Sequence, residues 1–198
     1  MNVGRRARSF ENMNNTAVWA QETARKHLEA PLPRRWAHTQ GVAGQARTLA
    51  PILGDRADLL EAAAWLHDIG YAPDLAATGF HPLDGARFLR GLQVDDHLCR
   101  LVAHHSCARI EARERGLAEE LTTEFGPEPP ELDDALIYCD MTTGPGGEAL
   151  TVERRLAEIL SRYGDGHPVS NAITAASPRL VEAVYKVRRG LAACEAVN

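Results

Sequence analysis

Residues 57–70 read ADLLEAAAWLHDIG, and this stretch decides the fold. Ala, Leu and Glu are strong helix formers, Asp55 stands where an N-cap belongs, and Gly70 supplies a stop. The spacing predicts a helix over about 57–69. A helix advances about 100° per residue, so His67 falls beside Leu59, Leu60 and Ala63, with Asp68 next to it. A histidine and a carboxylate on an apolar helix face need a partner, because an unpaired buried charge is expensive.

Working outward, the same 3.6-residue period predicts helices over about 16–29, 34–53, 81–90, 95–105, 110–121, 131–142, 151–163 and 178–193, with a short turn near 169–175. The second of these is stopped by Gly54, or already by Pro51. His81-Pro82 places proline in a first turn, where it is favoured. No convincing alternating strand appears. The expectation is all-α: a compact single helical domain over residues 13–198, preceded by a flexible leader at 1–12, with Met13 as an alternative start. The leader is basic but no apolar signal core follows it.

The composition, 44% hydrophobic and 25% charged over 198 residues, is that of a globular chain large enough to bury a core. A net charge of −5 argues against a nucleic-acid surface, and no apolar run is long enough to span a bilayer. Cys99, Cys107, Cys139 and Cys194 have neither zinc-knuckle nor disulfide-framework spacing and read as reduced thiols of a cytoplasmic protein. Gly144 to Gly147 lacks a P-loop ending and reads as a plain connection. The charged stretch 111–121 reads as a solvated helix, with a lid over a cleft as the alternative, and Trp19, Trp36 and Trp65 read as packing residues.

Other helices repeat the anomaly of His67 and Asp68. His38 lines up with Val42, Leu49 and Ile52. His105 sits within the stripe of Val94, Leu98, Leu101 and Val102, whereas His104 lies at its edge near Arg100. Asp140 falls between Leu136 and Ile137. Three histidines and two aspartates therefore point inward, and the core-facing stripes supply no arginine to pair with them. A divalent cation satisfies them together, since imidazole and carboxylate suit zinc, iron or manganese.

The order His38, His67-Asp68, His81, His104-His105, Asp140 resembles the HD-domain superfamily of metal-dependent phosphohydrolases. Leu66 to Gly70 contains its HDIG signature, His81-Pro82 with Gly85-Ala86 matches an HPxxGA segment, and Arg35 three residues before His38 matches RxxH. The resemblance covers roughly residues 17–190 and implies the helical HD-domain fold. It implies that His38, His67, Asp68 and Asp140 form a basic metal site. His81 and His105 fit the two extra ligand positions of members that hold two ions, with Asp68 as the bridge. Iron or manganese is expected first, zinc second.

The pattern is similar to bacterial HD hydrolases of diadenosine tetraphosphate, in which a hydroxyl residue follows the histidine, as Ser106 follows His105, and an arginine lies four residues on, as Arg109 does. The implied activity is hydrolysis of a nucleotide or other phosphate ester, with a small phosphate-containing molecule as partner. Asp68 would orient the attacking water, Arg35 and Arg109 would neutralise phosphoryl charge, and His104 would donate a proton to the leaving group. Two features depart from relatives: Tyr71 replaces the lysine that often follows HDIG, and the GYP segment of cyclic-di-GMP phosphodiesterases is missing. Two other readings stay open, an HD-type di-iron oxygenase and a regulatory domain that binds metal or nucleotide without turnover.

Overall fold

The computed structural model describes residues 16–127 and 129–196. The leader expected at 1–12 lies outside the described residues. Among these the chain is helical throughout, the one β-like contact being an isolated bridge between Thr143 and Ala149. In chain order the helices are α1 (Thr16–Leu28), α2 (Pro33–Thr48), α3 (Ala50–Leu53), α4 (Ala57–Leu66), α5 (His81–Gly91) and α6 (Asp96–His104). They continue as α7 (Ala108–Glu114), α8 (Ala118–Glu124), α9 (Pro130–Met141), α10 (Val152–Tyr163) and α11 (Pro168–Glu195).

α4 is the axis of the domain. It buries Leu60, Ala62, Ala63, Ala64, Trp65 and Leu66, nearly its whole circumference, as a helix enclosed on all sides must. α1 and α2 pack on one side of it and α6 and α9 on others. α1 meets it through Ala17, Ala20, Ala24 and Leu28, a small-residue face that lets the two backbones approach. Trp36 and Trp65 stack with ring centroids 5.4 Å apart, both buried, in keeping with a packing role. A second, smaller core forms where α9 meets α10 and α11, around Ile137, Met141, Val152, Leu180 and Val184. α9 belongs to both cores, so Asp140 near its end lies at the seam between them.

The structure differs from the sequence reading in three helices. The span 34–53 divides at Leu49, where Pro51 opens the short α3 and Gly54 closes it at φ 55°. The span 110–121 divides at Gly116, whose φ of 72° no continuing helix allows, into α7 and α8. The expected turn at 169–175 is absent, and α11 runs unbroken through Pro178. A proline inside a helix costs about 3 kcal/mol. The buried face of Val169, Ala172, Ala176, Leu180, Ala183 and Val187 continues at helical spacing across it, and this packing holds the helix together.

Candidate metal centre

The site begins with two helix ends. His67 follows the last residue of α4, and its Nδ1–H donates to the carbonyl of Ala64 at 2.8 Å. His105 repeats this at the end of α6, donating to Val102 at 2.7 Å. His38, within α2, donates through Nδ1 to the carbonyl of Gly144 at 3.0 Å. Committing Nδ1–H to a carbonyl turns each Nε2 to the interior. There it offers a lone pair when the ring is neutral and a donor to the aspartates when His38 or His67 is protonated. All three rings are buried, and His67 Nε2 has no hydrogen-bond partner.

Two carboxylates meet those lone pairs. Asp140 Oδ1 lies 3.1 Å from His38 Nε2, and its Oδ2 accepts from the Ser106 hydroxyl. Asp68 uses its two oxygens differently. Oδ2 lies 3.2 Å from His67 Nε2 and 3.8 Å from His38 Nε2. Oδ1 lies 3.3 Å from His81 Nε2 and 4.0 Å from His105 Nε2. The donor atoms accordingly fall into two groups with ion-holding spacing, His38 with His67 and Asp140, and Asp68 with His81 and His105. His81 Nε2 and His105 Nε2 are 3.1 Å apart.

Lone pairs and carboxylate oxygens that converge in a buried space repel one another unless positive charge sits among them. Part of that charge comes from arginines. Arg35 Nη1 donates to Asp68 Oδ2 at 2.7 Å, and buried Arg155 lies 3.4 Å from Asp140 Oδ1. Burial pushes the Asp68 pKa up, but Arg35 and His67 outweigh it and hold the carboxyl well below its usual range. Asp140 is likewise lowered against its burial, by His38 and Arg155. His105 goes the other way: burial first, then His81 and His67, lower it to about 3, so the ring is neutral and its Nε2 could act as a ligand. The orphaned His67 nitrogen and the paired imidazoles remain unsatisfied by any arginine. This N/O donor set fits divalent zinc, iron or manganese.

Backbone contacts fix the geometry. A Cβ on Gly70 would lie 2.1 Å from the His81 carbonyl oxygen and 2.6 Å from the Gly85 nitrogen, so only glycine lets α5 approach and bring His81 to Asp68. Asp84 accepts from the Ala77 and Thr78 amides at 3.1 and 3.0 Å, folding the preceding loop onto the start of α5. The Gly144–Gly147 segment does more than connect. It supplies the carbonyl that orients His38, and at Gly147 (φ 86°) an added Cβ would meet the Ala37 carbonyl at 2.5 Å. Ser106 and Cys107 are consecutive left-handed residues (φ 50° and 62°), a strained turn that aims the Ser106 hydroxyl at Asp140. Tyr71 lies between the Arg35 guanidinium, 4.1 Å from its centroid, and the His81 ring, stacked at 3.9 Å.

The structure thus brings together His38, His67, Asp68, His81, His105 and Asp140, with Arg35 at the edge of the cleft. It does not bring in His104 or Arg109. His104 donates through Nε2 to the Phe125 carbonyl at 2.8 Å, Arg109 is exposed on α7, and neither lines the cleft. From the stretch 111–121, Glu111 reaches the cleft, Ala112 and Leu121 are buried, and five of the other eight residues are exposed. The expectation that no inward stripe carries an arginine is overturned by Arg155, 4% exposed on the same face of α10 as Val152 and Ile159. Its spacing from those residues was the available signal. Arg162 and Tyr163, at the end of α10, also line the cleft and were not singled out by the sequence reading.

The HD domain family matches residues 35–164, which hold the whole of this constellation. This chain belongs to the HD domain family. That membership places it in a superfamily of metal-dependent phosphohydrolases. A 70-residue stretch is 40% identical to a protein named Ribonuclease Y from Rubrobacter xylanophilus, covering 35% of this chain and 14% of that protein. No solved structure matches the chain. Among the described residues, no helix of this HD domain is long and apolar enough to cross a membrane.

Proposed function

We propose that this HD domain hydrolyses a nucleotide or other phosphate ester at a two-ion centre. The observation that carries the reading is Asp68, whose Oδ2 faces His67 and His38 while Oδ1 faces His81 and His105. One carboxylate between two ligand groups is the arrangement a bridging ligand requires. His38, His67 and Asp140 would hold one ion, His81 and His105 the other, with manganese or iron ahead of zinc. When bound, such a pair of ions lowers the pKa of a shared water and polarises a phosphoryl oxygen.

The chain's own groups supply the rest. Arg35 stays cationic beside Asp68, and its guanidinium, clamped on Tyr71, is placed to share its donors with a phosphoryl oxygen. Arg155 takes the second cationic role that the sequence alone gave to Arg109. Ile159, Val169 and Ile173 from α10 and α11 also line the cleft and offer an apolar surface to the organic part of an ester. The expected substrate is a small phosphate-containing molecule, and the expected setting the cytoplasm.

The test is phosphate release from a panel of nucleotides and phosphate esters with manganese, iron or zinc, run beside oxygen uptake. Metal-dependent phosphate release that Asp68→Ala abolishes is the expected result. Oxygen uptake without phosphate release would move the same ligands to oxygenase chemistry. Full turnover by the variant would remove Asp68 from the centre.

A further inference from the structure

We propose that this chain carries a second anion site beside the metal centre, shaped for the second phosphate of a substrate with two linked phosphates. The proposal rests on the hydrolase reading above for the identity of its ligand, but not for the existence of the site. Behind Arg35 and Arg155 lies a separate cavity of about 330 Å³. Four arginines, Arg34, Arg35, Arg155 and Arg162, line it, and no carboxylate does, although the chain as a whole carries a net charge of −5. Arg35, Arg155 and Arg162 line the metal cleft as well, so these three side chains form the shared wall of the two spaces.

The arginines are held in place with donors to spare. Arg35 is fixed by Asp68, Arg155 by Glu158 at 2.8 Å and Asp140 at 3.4 Å, and Arg162 by Glu158. A guanidinium has five N–H donors, so each retains several. The Nε of Arg155 is buried without a hydrogen-bond partner. Arg34 pairs with no carboxylate among the described residues and is exposed at the cavity mouth.

A second feature points the same way. The sixteen-residue α2 opens into this cavity, and its N-terminus lacks both a capping side chain and an acidic residue in the first turn. Leu32 at the N-cap cannot accept a hydrogen bond through its side chain and Pro33 has no N–H, so the amides of Arg34 and Arg35 have no side-chain cap. Free amides, the positive end of the helix dipole and convergent guanidiniums are the components of a phosphate site. A phosphate at the metals with another linked to it would reach across the arginine wall.

The experiment uses the full chain and two probes, inorganic phosphate and pyrophosphate, followed by titration calorimetry. In EDTA, the wild type binds inorganic phosphate, and Arg34→Gln and Arg162→Gln each weaken it about tenfold, as expected for losing a charged hydrogen bond. Both positions are solvent-accessible, and circular dichroism and melting confirm that the variants fold. Equal binding by wild type and both variants overturns the site. With two equivalents of manganese loaded and none in excess, pyrophosphate binds the wild type at least about tenfold more tightly than phosphate, and each variant closes that gap. An absent gap, or one that neither variant closes, overturns the linked-phosphate ligand. If pyrophosphate binding behaves as expected but no phosphate ester is ever turned over, the hydrolase reading falls and the anion site stands.

Discussion

Replacing Gly70 with alanine tests the backbone contact that places His81. The added Cβ would lie 2.1 Å from the His81 carbonyl oxygen and 2.6 Å from the Gly85 nitrogen. An ordinary non-bonded contact is about 3.5 Å, so the start of α5 must retreat by roughly an ångström or more. Neither opposing atom belongs to a flexible side chain, which puts the cost near the upper end of overpacking, about 3 kcal/mol. For a domain of this size that corresponds to a melting temperature lower by about 6–12 °C. The same retreat draws His81 Nε2 away from Asp68 Oδ1, now 3.3 Å distant, so the variant should also hold less metal. Gly44→Ala is the matched control, a helical glycine whose added Cβ meets nothing within 4 Å. It should stabilise the protein by about 0.5–1 kcal/mol. Calorimetric melting in EDTA and metal analysis by mass spectrometry read both effects. A Gly70→Ala protein that melts within about 1 °C of wild type and keeps its full metal content would refute the close-approach argument.

Arg155→Met keeps the aliphatic volume but leaves Asp140 without its buried cation, and urea unfolding in EDTA should show a loss of about 3–5 kcal/mol; an unchanged midpoint contradicts the pairing. The metal-free protein should weaken in acid through His105. Its folded pKa is lowered to about 3 from an ordinary 6.5, so between those values the unfolded chain binds a proton that the folded chain refuses. Stability from this group is therefore complete above pH 6.5 and declines as pH falls toward 3, by up to about 1.4 kcal/mol per pH unit. His105→Asn should flatten urea midpoints measured across that range, and an undiminished slope assigns it elsewhere. Gly147→Ala forces a side chain onto a φ of 86° and into the Ala37 carbonyl, displacing the loop that orients His38. Its metal affinity should drop about 10–100-fold in a chelator competition, and unchanged affinity would show that the Gly144 carbonyl does not position the ring.

The inward polar residues were legible because a helix phases its side chains. His38, His67, His105 and Asp140 could be assigned to apolar faces from spacing alone, and the structure buries all four. The choice of His105 over His104 followed from the same phase, and the two rings do part, one to the cluster and one to Phe125. Arg155 was equally legible in principle, since it lies between Val152 and Ile159 on one face of α10, but a long cation on such a face is ordinarily read as reaching back to water. What spacing cannot show is contact between distant backbones. The fit of Gly70 against the start of α5, and of Gly147 against α2, depends on how helices pack rather than on periodicity. The continuity of α11 through Pro178 was hidden for a related reason. Local propensity argues for a break there, and only tertiary burial opposes it.

His67 and His105 each finish a helix by occupying a carbonyl that the helix itself leaves open. Each is therefore subject to two separate physical demands, and only one of them involves an ion. A descendant of this chain that had abandoned its chemistry would still gain from keeping both residues, because removing either frays α4 or α6 at the centre of the domain. His81 has no such second duty, since its side chain closes no helix, whereas Asp140 also pairs with buried Arg155. Erosion of function would register first at His81, whose side chain in this chain is aimed into the cluster.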